Sequence, residues 1–105
     1  MCGIFGVFNF GGGAADLSAV GRAAAVIRHR GPDDEGFLLA DSRAGRTLLC
    51  AGGDTNPELG LPPLEEFRGQ SFDLAFGFRR LSIIDLSPAG HQPMSSADRR
   101  LWIIF

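Results

Sequence analysis

Cysteine in the second position is the residue of this chain whose place could do the most chemistry. Removal of Met1, which a small second side chain permits, would put a thiol and a free α-amine on one residue. An α-amine has a pKa near ~7.7–8.0, against ~8.5 for a thiol, so near neutrality it is well placed to exchange protons with that sulfur. One residue then serves as nucleophile and base. The pairing suits attack on an amide carbonyl: the thiolate adds, an acyl-enzyme forms, and the ammonium protonates the departing nitrogen. Cysteine is also among the most often buried residue types, and by that measure alone a plain packing role for Cys2 outweighs the catalytic one.

The other polar residues offer less. Arg28-His29-Arg30-Gly31-Pro32 is explained locally as a helix end: cations complement the dipole, glycine takes a left-handed cap, and proline forbids continuation. His91 lies in a loop bounded by glycine and proline. With two histidines and no cysteine at ligand spacing, no metal site is expected. Asp33-Asp34-Glu35 and Glu65-Glu66 read as solvated loop charges, and Cys50, inside a strand pattern, as a space filler. An arginine at a strand end is usually solvent-facing; that reading suits Arg79 and, on composition alone, is about as good as any other for Arg80.

These residues need elements to hold them. Gly3 to Phe8 is short and continuously apolar, which suits a strand buried on both faces, with Cys2 at its start. Asp16 or Ser18 can cap a helix whose apolar positions Leu17, Val20, Ala24 and Ile27 recur at helical spacing, with Arg28 to Arg30 in its last turn. Gly36 to Ala40 and Thr47 to Ala51 form a hairpin about the polar turn 41–45, and 52–69 crosses the surface as an irregular loop. One or two strands follow between Phe72 and Ile84, then a turn-rich loop to Pro93, then a strand from Arg100 to Phe105. Strands outnumber helices and most joins are hairpin-like, so the expected class is α+β with a largely antiparallel sheet.

The chain has 105 residues, 45% apolar and 21% charged, with a net charge of −2: enough core material for one small domain and too much for a disordered tail. Ten basic residues, all arginine, form no stripe, which argues against a nucleic-acid binder. Two cysteines are too few for a disulfide scaffold and fit a cytoplasmic setting. The apolar N-terminus has neither the preceding charge of a signal peptide nor the length of a membrane span. The ending Leu101-Trp102-Ile103-Ile104-Phe105 is wholly apolar, which leads us to expect a domain interrupted at its C-terminal side.

Four segments together resemble a known family. Met1-Cys2-Gly3-Ile4-Phe5-Gly6-Val7, Arg28-His29-Arg30-Gly31-Pro32-Asp33 with Gly36, Arg80-Leu81-Ser82-Ile83-Ile84-Asp85, and Ala89-Gly90-His91-Gln92-Pro93-Met94 are similar to the N-terminal glutaminase domain of glutamine-hydrolysing asparagine synthetases, in the family's order. The resemblance implies residues 1–105 of a class II glutamine amidotransferase domain with a partial N-terminal-nucleophile hydrolase fold, an αββα sandwich of mostly antiparallel sheets. It implies that Cys2 attacks the side-chain amide of L-glutamine and releases ammonia. Arg80 would hold the glutamine α-carboxylate, for which a permanently charged planar fork is well suited. Leu81, Ser82, Ile83 and Ile84 would line the same pocket mainly through backbone groups, and Asp33 would fix the loop near the nucleophile strand.

The resemblance further implies a C-terminal synthetase domain in the parent chain, where ATP and magnesium activate aspartate; a homodimer is allowed. No glycine-rich phosphate loop lies in these residues, so no cofactor is expected here. Where many relatives carry histidine, this chain has Phe78. In the family an Asn-Gly pair beyond the equivalent of Phe105 supplies the oxyanion hole, and one such donor is worth about 2.7–4 kcal/mol, so these 105 residues alone are expected to have negligible glutaminase activity. The alternatives are the glutaminase domain of an amidotransferase with another acceptor, or a non-catalytic truncated product.

Overall fold

The apolar run after Cys2 forms strand β1 (Gly3–Phe8), and the later run rich in phenylalanine forms β4 (Leu74–Arg80); in the computed structural model, which describes residues 1–105, the two lie side by side. Their antiparallel register runs from Gly3 opposite Arg79 to Phe8 opposite Leu74. Between them in sequence, β2 (Asp34–Asp41) and β3 (Arg46–Cys50) form the expected hairpin. Its turn closes because the Asp41 carboxylate accepts from the backbone N–H groups of Arg43 (3.1 Å) and Ala44 (3.2 Å), and Gly45 takes φ +68°, which costs glycine no Cβ clash. The sheet order is β1-β4-β2-β3, every pair antiparallel, so β4 is an inner strand.

Helix α1 (Leu17–Val26) starts where Asp16 accepts from the backbone N–H of Ser18 (3.0 Å) and Ala19 (3.3 Å). Its inward stripe, Leu17, Val20 and Ala24, packs on Phe37, Leu39, Cys50 and Ala75 of the sheet, with Leu64 and Phe72 closing the core. Each of the large apolar side chains among them contributes roughly 1.5–3 kcal/mol when fully buried, and the alanines less. The class is therefore α+β, one helix on one face of a four-stranded antiparallel sheet, and no helix is long and apolar enough to cross a membrane.

Several expectations from the sequence are corrected. β1 is not buried on both faces: it is an edge strand, and Ile4, Val7 and Phe8 are 51%, 41% and 46% exposed. A continuous apolar run does not by itself distinguish an edge strand from an inner one. α1 ends at Val26, so Arg28–Arg30 form a separate 3-10 turn and no cation sits in the helix's last turn. Gly31 is not left-handed (φ −151°); glycine is needed there because a Cβ would lie 2.5 Å from the Arg79 carbonyl carbon and 2.6 Å from the Arg80 nitrogen. The segment from 72 to 84, expected to hold one or two strands, holds one, and only its end at Arg80 falls short of the apolar run. The final strand shrinks to β6 (Trp102–Ile103), paired only with β5 (Met94–Ser95). The 52–69 segment is not merely a surface excursion, since it delivers Leu64 to the core.

Candidate active site

Side chains alternate along β4, so Phe76, Phe78 and Arg80 point to the sheet face away from α1, while Ala75, Gly77 and Arg79 point toward it. Arg80 therefore leaves the sheet at the end where β1 begins, and Cys2 precedes that first strand. Both line one cavity of about 450 Å³, together with Met1, Phe78, Leu81, Gly90, Gln92, Met94 and Phe105. Met1 is 85% exposed at its mouth. The half-buried thiol of Cys2 accepts a hydrogen bond from the backbone N–H of Leu81 (N···S 3.4 Å), and the Cys2 carbonyl accepts one from Arg30 Nε at 3.3 Å.

The Arg80 guanidinium is pinned rather than free. Nη1 donates to the Ser87 carbonyl at 2.7 Å and Nη2 to the Asp85 carbonyl at 2.5 Å. Gly90 lets the loop close over it, because a Cβ at that position would collide with the guanidinium. The loop is itself braced: Ser87 hydrogen bonds hold the Asp85 carboxyl below its usual range, and the backbone N–H of Ala89 donates to Ser87 Oγ at 3.3 Å. The two bonded acceptors are neutral carbonyls and no carboxylate forms an ion pair with Arg80, although the Asp85 carboxyl feels its charge; the guanidinium keeps charge to offer an incoming carboxylate.

Asp33 ties the two motifs together. Its N–H donates to the Arg80 carbonyl (3.0 Å) and its carboxylate accepts from the N–H of Ser82 (2.7 Å). Of the four residues after Arg80, Leu81 lines the cavity; Ser82, Ile83 and Ile84 do not, and the two isoleucines are 76% and 97% exposed. Gln92 turns its amide inward, where Oε1 accepts from the Phe105 N–H at 2.7 Å.

Three sequence readings change here. Arg79 is not solvent-facing but 1% exposed: Nε donates to the Gly31 carbonyl (2.9 Å), Nη1 to Glu35 (2.5 Å) and Nη2 to Asp54 (2.8 Å). Asp34 and Glu35 are not solvated loop charges, being 3% and 6% exposed. Glu35 neutralises Arg79, while Asp34 accepts from the His91 ring nitrogen Nδ1 at 2.6 Å and from the Asn56 N–H at 3.2 Å. His91 thus latches the 88–93 loop onto β2, over Gly36. Asp54, bound by Arg28 and then by Arg79, is held down at about 2. The signal for this network was in the pattern: on an inner strand the residue next to an outward Arg80 must point at the helix side. Cys50 fills core space as expected, its thiol pushed up to about 12 by burial and then by Glu66.

A second cavity of about 350 Å³ lies between α1 and the 52–54 segment, where Arg22, Arg28 and Arg68 face Glu35, Asp54 and Glu65; it contains no thiol.

The glutamine amidotransferase domain family matches residues 65–105. Asparagine synthetase (glutamine-hydrolysing) 1 of Bacillus subtilis is 33% identical over 108 residues, spanning 100% of this chain and 12% of the relative. The protein assigned as asparagine synthetase (glutamine-hydrolysing) 2 of Methanocaldococcus jannaschii is 30% identical over 94 residues, 90% of this chain and 13% of the relative. That assigned as asparagine synthetase (glutamine-hydrolysing) of Mycobacterium tuberculosis is 32% identical over 100 residues, 90% of this chain and 11% of the relative. The chain thus spans about an eighth of the length of the curated relatives it matches. No solved structure matches it at a significant level. With a cysteine before the first strand, an arginine pinned at the end of its neighbour, and these relatives, the chain is a glutamine amidotransferase domain homologous over most of its length to the N-terminal part of glutamine-hydrolysing asparagine synthetases.

Proposed function

We propose that residues 1–105 belong to the glutaminase unit of an asparagine synthetase-type amidotransferase with an N-terminal-nucleophile fold, in which Cys2 is the nucleophile and Arg80 the anchor for L-glutamine. The observation that carries this reading is the shared cavity: the thiol and a guanidinium held by neutral carbonyls face one space large enough for an amino acid. With Met1 removed, the Cys2 thiolate forms a C–S bond to the glutamine side-chain carbon. The C–N bond breaks, and the nitrogen leaves as ammonia with a proton relayed by the α-amine. Water then cleaves the thioester, giving glutamate and the free thiol. Arg80 orients the substrate by its carboxylate, Leu81 lines the pocket, and Ser82, through its N–H bond to Asp33, holds the turn that follows β4.

The acceptor of the ammonia lies outside these residues. By similarity to the relatives it would be the asparagine synthetase reaction, in which ATP and magnesium activate aspartate in a C-terminal domain. The test reads binding, not turnover. L-glutamine should protect Cys2 saturably from alkylation by iodoacetamide; a glutamine analogue lacking the α-carboxylate should not, and Arg80→Ala should abolish protection. Equal alkylation of Cys2 with and without L-glutamine would overturn the proposal.

A further inference from the structure

The buried arginine beside the anchor has no part in the scheme above, yet its contacts converge on the elements that hold Cys2. Arg79 spends its guanidinium on the Gly31 carbonyl, Glu35 and Asp54, all on the helix side of the sheet. Gly31 packs directly on the β4 backbone at Arg79 and Arg80, and the next residue, Pro32, bridges to Arg80. From this clamped segment two arms reach the end of the sheet where Cys2 sits. Arg30, just before Gly31, holds the Cys2 carbonyl, and Asp33, just after Pro32, holds the Leu81–Ser82 turn whose Leu81 N–H meets the Cys2 sulfur. Gly3 lies opposite Arg79 in the sheet register, so the same clamp sits under the residue that follows Cys2.

We propose that Arg79 is a positioning residue for the Cys2–Leu81 contact, acting through the 30–33 segment. The role follows from geometry that only a fork satisfies: three acceptors from three segments converge on one planar group, which a lysine ammonium on its single stem does not match. The inference rests on the reading of Cys2 as nucleophile. It also predicts a division of labour, because Arg80 is held by its own loop carbonyls at Asp85 and Ser87 and does not depend on Arg79 for its aim.

Removing Arg79 alone would leave the Glu35 carboxylate buried without a countercharge, held only by the Asp54 N–H, and could unfold the chain, so the decisive variant is the charge-free pair Arg79→Met with Glu35→Leu, a kind of replacement that is often neutral or stabilising. Two measurements on the full chain, with Met1 removal verified by mass, test it. In amide hydrogen exchange, protection should fall at Asp33, Leu81 and Ser82 while Leu39 and Leu48, paired in the β2–β3 ladder, keep theirs. With a chloroketone analogue of glutamine, whose chloride is displaced as the Cys2 sulfur forms a thioether, the maximal inactivation rate should drop about tenfold to a hundredfold, with the half-saturating concentration little changed. Uniform loss of exchange protection across the sheet, or unchanged protection at Leu81 and Ser82, overturns the role given to Arg79. Localised exchange in the variant combined with no saturation in the wild-type chain upholds the clamp and instead sinks the glutamine reading.

Discussion

The backbone N–H of Leu81 donates to the sulfur of Cys2 across 3.4 Å, joining two residues separated by 79 positions in the chain. The contact fixes where the thiol sits relative to Arg80, because Leu81 is the next residue after it.

The two cysteines should differ sharply toward thiol reagents. Cys2 is half buried at a cavity mouth, whereas Cys50 has no exposed surface and a thiol held up at about 12. Titration with a disulfide reagent at pH 8 should modify one thiol per native chain and two after denaturation. Peptide mapping should find the first on Cys2; rapid labelling of Cys50 in the native chain would contradict the packing described.

Exposed Met1 and the small second residue predict removal of Met1 on expression, visible as loss of one methionine in the intact mass. A variant that retains Met1 should lose the amine's share of catalysis, of the order of 10²-fold or more, in any assembly where the wild-type chain hydrolyses glutamine. Equal rates with and without Met1 would remove the α-amine from the mechanism.

Gly90→Ala should weaken protection of Cys2 by glutamine about as much as Arg80→Ala, since the new methyl displaces the guanidinium from Ser87 and Asp85. The loop is at the surface, so the melting temperature should move little. Retention of wild-type protection in Gly90→Ala would show that Arg80 does not need this loop.

Acid should weaken the fold partly through Asp54. Its carboxyl is held at about 2, first by hydrogen bonding to Arg28 and then to Arg79, against a usual value of 3.8. A folded value below the unfolded one gives stabilisation that is complete above about pH 4 and is lost as pH falls toward 2. Denaturant unfolding between pH 5 and pH 2 measures this, and Asp54→Asn should flatten the slope. An identical slope in the variant would assign the acid lability elsewhere.

Core and close-packed positions set the scale for stability. Leu39 is fully buried beneath α1, and Leu39→Ala should cost about 2–5 kcal/mol. Gly36→Ala should cost about 1–3 kcal/mol, because the added carbon would collide with the Gln92 carbonyl and the His91 ring. Urea midpoints at constant m-value check both; a neutral Gly36→Ala would mean that the His91 latch is not seated on β2.

What could be read from the residues in order was local. Asp16 followed by apolar positions at helical spacing specified α1, the polar turn with Gly45 specified the hairpin, and Cys2 ahead of a short apolar run placed a thiol at a strand start. These depend on chain neighbours, whose geometry backbone sterics and side-chain period determine. Which strands are neighbours was not local: β4 is inserted between β1 and β2, so one arginine points toward the cavity and the adjacent one beneath the helix. Burial of Asp34, Glu35 and Arg79, and the 3.4 Å approach of Leu81 to Cys2, depend on segments far apart in sequence. A charged side chain enters a core only when a partner meets it there, and that meeting is a property of the assembled sheet.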